Sequence, residues 1–188
     1  PSSSLDADAF GDWFRSNGRT LAILGGAIVV AAGGAYLWQW NRAGTATRAE
    51  TAYFKALQTG GSSPAALETA LRQVAAGYDG TAGGAQAQMQ LAQLLFDQGK
   101  FQEGLKVLGE ASDAPAELKD GVQTLTAVGY EGLGRYAEAG KLYESLAGAA
   151  DTDIRRETLQ AAAARAYQAA NGRAAALRLW SAIAAREA

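Results

Sequence analysis

The sequence predicts an all-α protein: one N-terminal membrane-spanning helix, then about four antiparallel helix pairs. Three observations lead there. Thr20 to Asn41 carries no charge and is fenced by Arg19 and Arg42. At roughly 1.5 Å per residue its ~22 residues reach about 33 Å as a helix, enough to cross a bilayer's hydrocarbon core. Beyond it, apolar residues recur at spacings of three and four, the helical period. No stretch alternates β-branched with polar residues as a half-buried strand would. The chain divides accordingly into a tail at 1–19, a span at 20–41, a linker at 42–48 and a helical domain at 49–188.

In the tail, Asp6 is placed to cap a short amphipathic helix with Phe10, Trp13 and Phe14 on one side. Trp13 and Phe14 precede the span, and Tyr36, Trp38 and Trp40 close it. Aromatic rings at both ends are the pattern expected where ring meets headgroup. The apolar run is longer than the core of a cleavable leader, so it reads as a retained signal anchor. Within it, Ala27, Ala31 and Ala35 recur every fourth residue, and Gly26 and Gly33 stand seven apart. Such a small-residue face suits a second helix packed in lipid. Arg15 and Arg19 before the span balance Arg42, Arg48 and Lys55 after it, so charge does not set the orientation.

The first helix of the domain carries Ala49, Tyr53 and Leu57 and ends at Thr59–Ser63. Ser63 then caps a helix opened by Pro64, with Leu67, Leu71, Val74 and Tyr78 on one face, broken by Asp79–Gly84. Leu91, Leu94 and Leu95 mark a third helix up to Gly99; Phe101, Leu105 and Leu108 mark a fourth, ended near Ser112–Pro115. Leu118, Val122, Leu125 and Gly129 describe the fifth, and Tyr136, Ala139, Leu142 or Tyr143, and Leu146 the sixth. Asp153 is the expected cap of a seventh, with Leu159, Ala162, Ala166 and Ala170, ending at Asn171-Gly172. Leu177, Trp180 and Ile183 or Ala184 complete an eighth.

Composition narrows the function. Lys plus Arg (17) nearly balances Asp plus Glu (19), so no strong field draws nucleic acid. The chain has no Cys and no His, which removes the thiol nucleophile, the commonest metal ligand and the commonest general base. No catalytic residue, metal, cofactor or small-molecule substrate is expected. Gly134 to Leu142 imitates a phosphate loop, but it has one residue too many between its glycines and Leu where a magnesium-binding hydroxyl belongs.

The helix pairs also repeat. Gly99–Ala111 aligns with Gly134–Leu146 at an offset of about 35 residues, and Arg178-Leu179-Trp180 parallels Lys141-Leu142-Tyr143 about 37 further on. A small residue (Gly104, Ala139, Ala176) sits two before the basic one in each copy, where it lets paired helices approach. Leu91-Ala92, Leu95, Gly99, Phe101, Gly104, Leu108, Ala111 and Pro115, then Ala127, Tyr130, Gly134, Tyr136, Ala139, Tyr143 and Leu146, resemble the tetratricopeptide repeat. The whole order of segments, with WQW (residues 38–40) closing the span and AETAYFKAL (residues 49–57) opening the domain, is similar to the YfgM-like, ancillary SecYEG translocon subunit family.

That resemblance implies a bacterial inner-membrane protein with a cytoplasmic N-terminus and a periplasmic repeat domain. It also implies a chaperone-like or scaffold role near the translocon, with membrane lipid and protein clients or membrane-complex subunits as partners. By repeat position, the partner groove would hold Gln86, Met89, Gln93 and Phe96 in one copy, Thr124, Val128 and Glu131 in the next, and Arg165 and Gln168 in the last. The residues depart from the Lys/Asn clamp that some of these repeats use for a C-terminal carboxylate. The competing expectation is a permanent accessory subunit of a respiratory or photosynthetic membrane complex.

Overall fold

The computed structural model describes residues 32–34, 44–61 and 63–187. Helix α1 covers residues 44–60, followed by α2 (Pro64–Gly77), α3 (Ala82–Asp97), α4 (Phe101–Glu110), a 3₁₀ turn (Ala111–Asp113), α5 (Ala116–Gly132), α6 (Tyr136–Ala149), α7 (Asp153–Ala169) and α8 (Arg173–Glu187). No strand occurs among the described residues. The chain falls into two units, Pro1–Gly44 and Thr45–Ala188. The tetratricopeptide-like helical domain is the second.

The boundaries have local causes. The Ser63 hydroxyl accepts the Ala66 amide at 3.1 Å, and Pro64 follows at the first helical position. α3 and α5 end alike: Gly99 (φ +74) and Gly134 (φ +73) adopt the left-handed conformation that glycine takes without cost. The amides of Lys100 and Arg135 then reach back to Leu95 O and Tyr130 O, each at 2.8 Å. α7 repeats the device with Asn171 (φ 60) in the glycine's place and Gly172 N on Tyr167 O at 2.7 Å. These three stops lie at the offsets of about 35 and about 37 residues, so the repeat is a repeat of backbone geometry.

From α2 to α8 consecutive helices pack on each other, and α3 also touches α5. One face of α3 supplies Ala87, Leu91 and Leu95 to a core shared with Ala56 of α1, Leu71 and Val74 of α2, and Val107 of α4. Its other face supplies Ala85, Ala92 and Phe96 to the next core, with Leu108 and Val122. A third core holds Tyr143 and Leu146 of α6, Leu159 of α7, Leu179 of α8 and many alanines. Cores strung along the chain, each joined to its neighbour by a shared helix, make an α-solenoid. Gly104 is buried, and Ala139 and Ala176 are 0% and 2% exposed, as expected of residues at helix crossings.

Several expectations need correction. Residues 44–48 are helical, so the stretch 42–48 is not a linker throughout. The break after α2 ends at Thr81, whose hydroxyl accepts the Gly84 amide at 3.1 Å; Gly83 and Gly84 lie inside α3. A Cβ on Gly83 would come within 2.6 Å of Ala49 O, so this glycine serves close packing and not a turn. Thr152, not Asp153, caps α7, and Asp153 instead pairs with Arg156 in the first turn. Leu177, expected on the inner face, is 57% exposed; α8 turns Ala176 and Leu179 inward.

Among the described residues no helix is long and apolar enough to cross a membrane. The expected span Thr20–Asn41 lies outside them except at 32–34, which are helical. Trp13, Phe14, Tyr36, Trp38 and Trp40, and Gly26, Ala27, Ala31 and Ala35, also fall outside them. Gly33 is helical and exposed, with open space where a Cβ would stand.

Candidate functional site

α3 and α5 are the first helices of successive pairs, and a groove of about 500 Å³ lies between them. α3 contributes Gln86, Met89, Gln90 and Gln93, and α5 contributes Leu118, Gly121, Thr124, Leu125 and Val128. Both sets follow helical spacing, so each is one stripe of one helix. Tyr53 joins them from α1. The width of the groove depends in part on Gly121: a Cβ there would stand 2.9 Å from Met89 Cε. The Met89 side chain therefore lies over bare backbone, and an unbranched thioether adapts well to such a surface.

Among the described residues, none that lines the groove is charged. Bringing an ion here would strip its water without offering a counter-charge, which is strongly unfavourable. The polar groups are the neutral amides of Gln86, Gln90 and Gln93 and the hydroxyls of Tyr53 and Thr124, each able to donate and accept. Gln93 already donates to Asp97 Oδ1 at 2.9 Å, and the Thr124 hydroxyl donates to Asp120 O at 2.7 Å within its own helix. Partial burial raises the pKa of the Tyr53 hydroxyl, which keeps it neutral. The groove thus joins an apolar floor to hydrogen-bonding groups without charge, the chemistry of an extended backbone with uncharged side chains.

The structure gathers Gln86, Met89, Gln93, Thr124 and Val128 on this groove. Phe96 is a correction: it is 5% exposed and belongs to the core beneath. Glycines leave room for its ring, since a Cβ on Gly129 would meet Phe96 Cζ at 2.6 Å and one on Gly104 would meet Phe96 Cδ1 at 2.7 Å. It also stacks on Phe101 with centroids 5.5 Å apart.

Glu131, Arg165 and Gln168 do not line the groove. Glu131 accepts the Tyr143 hydroxyl at 3.4 Å. Burial first, and then the Glu131 carboxylate, push the Tyr143 pKa up to about 12, while Arg165 opposes them. Arg165 and Gln168 are exposed on α7.

Five groove residues were not anticipated. Tyr53, Leu118 and Leu125 read as ordinary core positions, and their partial exposure comes from the spacing of α3 and α5. Gln90 and Gly121 do carry a signal, for they continue the i, i+3, i+4 stripes begun at Gln86 and Leu118.

A family model described as a tetratricopeptide repeat-like domain matches residues 11–129. No curated protein matches the chain. Among solved structures, one named for a Podosopora anserina kinesin light chain of nearly identical TPR-like repeats is 24% identical, with a TM-score of 0.58. That match covers 73% of this chain and 74% of the other. A variant of the same Podosopora anserina protein gives 24% identity and a TM-score of 0.53 over 65% and 66% of the two chains. At this identity the likeness concerns the fold.

Proposed function

Because the chain belongs to the tetratricopeptide repeat-like domain family, a fold that serves as a protein-interaction scaffold, we propose that it is a membrane-anchored scaffold holding a partner segment between α3 and α5. The uncharged groove carries this reading. Its partner would be an extended polypeptide, with apolar side chains against Met89, Leu118, Leu125 and Val128 and its backbone against the Gln86 and Gln90 amides.

Thr20–Asn41 supplies the anchor, on its length and lack of charge. The family match starts at residue 11, so it takes in the apolar stretch as well as the first repeats. The resemblance to the ancillary translocon subunits extends the proposal to a bacterial inner-membrane protein with a cytoplasmic N-terminus and a periplasmic groove that receives chains near the translocon. The Ala27, Ala31 and Ala35 stripe favours a second reading, permanent membership of a membrane complex.

Cross-linking the native protein in its membrane, followed by gentle solubilisation and mass spectrometry, separates the two. Links spread over translocon subunits, folding factors and many exported chains support the chaperone-like role. One stoichiometric set of neighbours touching both the apolar stretch and the repeats supports the fixed subunit. Val128→Asp, which puts a charge in the groove, should cut partner capture at least tenfold while leaving the helical content unchanged.

A further inference from the structure

The 188 residues hold a single sulfur atom, the thioether of Met89, since the sequence has one Met and no Cys. The structure sets that atom in the groove between α3 and α5. Met89 is half-buried: it packs on the core of Phe96, Leu108 and Val122 and also lines the groove. A Cβ on Gly121 would stand 2.9 Å from its Cε and 3.7 Å from its Sδ. The thioether therefore rests against the bare backbone of α5, where a larger residue at 121 would displace it.

Oxidation changes this contact in two ways. A sulfoxide is polar and chiral, and carries an accepting oxygen where the thioether was apolar. The α5 backbone closes one side of the sulfur and the core another, so the added oxygen turns into the open groove. There it shares the lining with Leu118, Leu125 and Val128, and an apolar partner side chain meeting it must strip its water. Gln86 stands three residues earlier on the same stripe of α3, close enough for its amide to donate to the new oxygen. That withdraws one of the groups available to a partner's backbone.

We propose that Met89 is a modification site: its oxidation by hydrogen peroxide converts the groove from holding a partner segment to releasing it. The proposal rests on the reading of the groove as the partner site. In the step itself the sulfur lone pair attacks one peroxide oxygen, and the S–O bond forms as the O–O bond breaks. The transferred oxygen gives its proton to the departing hydroxide, which leaves as water. Sulfur loses two electrons and peroxide gains them. The change is reversible, because methionine sulfoxide reductases return the thioether.

The test uses the full chain and, as probe, a fluorescently labelled, end-blocked peptide of alternating leucine and serine. Hydrogen peroxide is added until peptide mass spectrometry shows Met89 converted to the sulfoxide, and fluorescence anisotropy reads the affinity before and after. Affinity should fall about tenfold, the order expected when one apolar contact becomes a polar one, with helical content unchanged by circular dichroism. The two reductases, one for each sulfoxide epimer, should together restore it. Met89→Leu, compared with itself before and after peroxide, should show no change. Unaltered affinity of the sulfoxide form, an equal loss in Met89→Leu, a loss accompanied by melted helix, or a Met89 that peroxide does not convert overturns the proposal and leaves the groove reading standing. A peptide that fails to bind the untreated chain, or that Val128→Asp binds equally well, does not use the groove, and the groove reading then falls together with the proposal.

Discussion

In α1–α4 the layers meet through large side chains: Leu71, Leu91 and Leu95 in one core, with Phe96 in the next. In α5–α8 the core is built largely of alanines, among them Ala139, Ala147, Ala163, Ala164 and Ala166. Alanine buries little apolar area, about 0.8 kcal/mol per methylene being absent relative to leucine. That half gains specificity elsewhere. Tyr167 donates to Glu144 at 3.0 Å, Arg178 reaches the same carboxylate at 2.7 Å, and Arg155 pairs with Asp120 at 2.9 Å. The first half has polar ties too, Gln98 on Glu68 at 3.3 Å and Arg72 on Glu103 at 3.8 Å, so the difference lies in the size of the core side chains.

The sharpest way to break this contrast is to remove volume from the first half. Phe96→Ala should cost about 3–5 kcal/mol, because rigid glycine-lined walls cannot collapse onto the void. Urea unfolding of the variant measures it. In the second half the corresponding change is to add volume: a Cβ on Gly140 would stand 2.9 Å from the Tyr167 ring. Gly140→Ala is therefore expected to cost about 1–3 kcal/mol, with the loss of hydrogen-exchange protection centred on α6 and α7.

Alkaline pH sharpens the comparison through Tyr143. An unfolded tyrosine ionises near pH 10, whereas the folded chain holds this proton until about pH 12. Between those values the unfolded state binds fewer protons, so stability falls as pH rises. Below pH 10 the contribution is intact. Tyr143→Phe should flatten that part of the alkaline decline, as read from unfolding curves between pH 9 and 12. The smallest effect belongs to an exposed pair: Arg155→Ala should lose at most about 1 kcal/mol and become harmless in high salt.

Much of the fold was legible because its stops are written in conformationally special residues. Gly99, Gly134 and Asn171 each end a helix, and the apolar spacing between them has one period. What was not legible depended on distance between helices. Gly83-Gly84 reads as a loop, since nothing local says that Ala49 packs against that turn. Phe96 and Leu177 fall on other sides than their spacing suggests, because helical period gives a stripe and not its phase against a neighbour. Five groove positions follow from repeat register, but Tyr53 requires knowing that α1 reaches the same groove.

The most direct test places a photo-cross-linking residue at Gln90, inside the groove, and separately at Lys106, exposed on α4. Both proteins are irradiated in intact cells, and adducts are identified by mass spectrometry. A groove that holds a partner segment predicts polypeptide adducts from Gln90 that Val128→Asp suppresses, and few or none from Lys106. Equal adducts from both positions, or adducts from Gln90 that survive Val128→Asp, would contradict it.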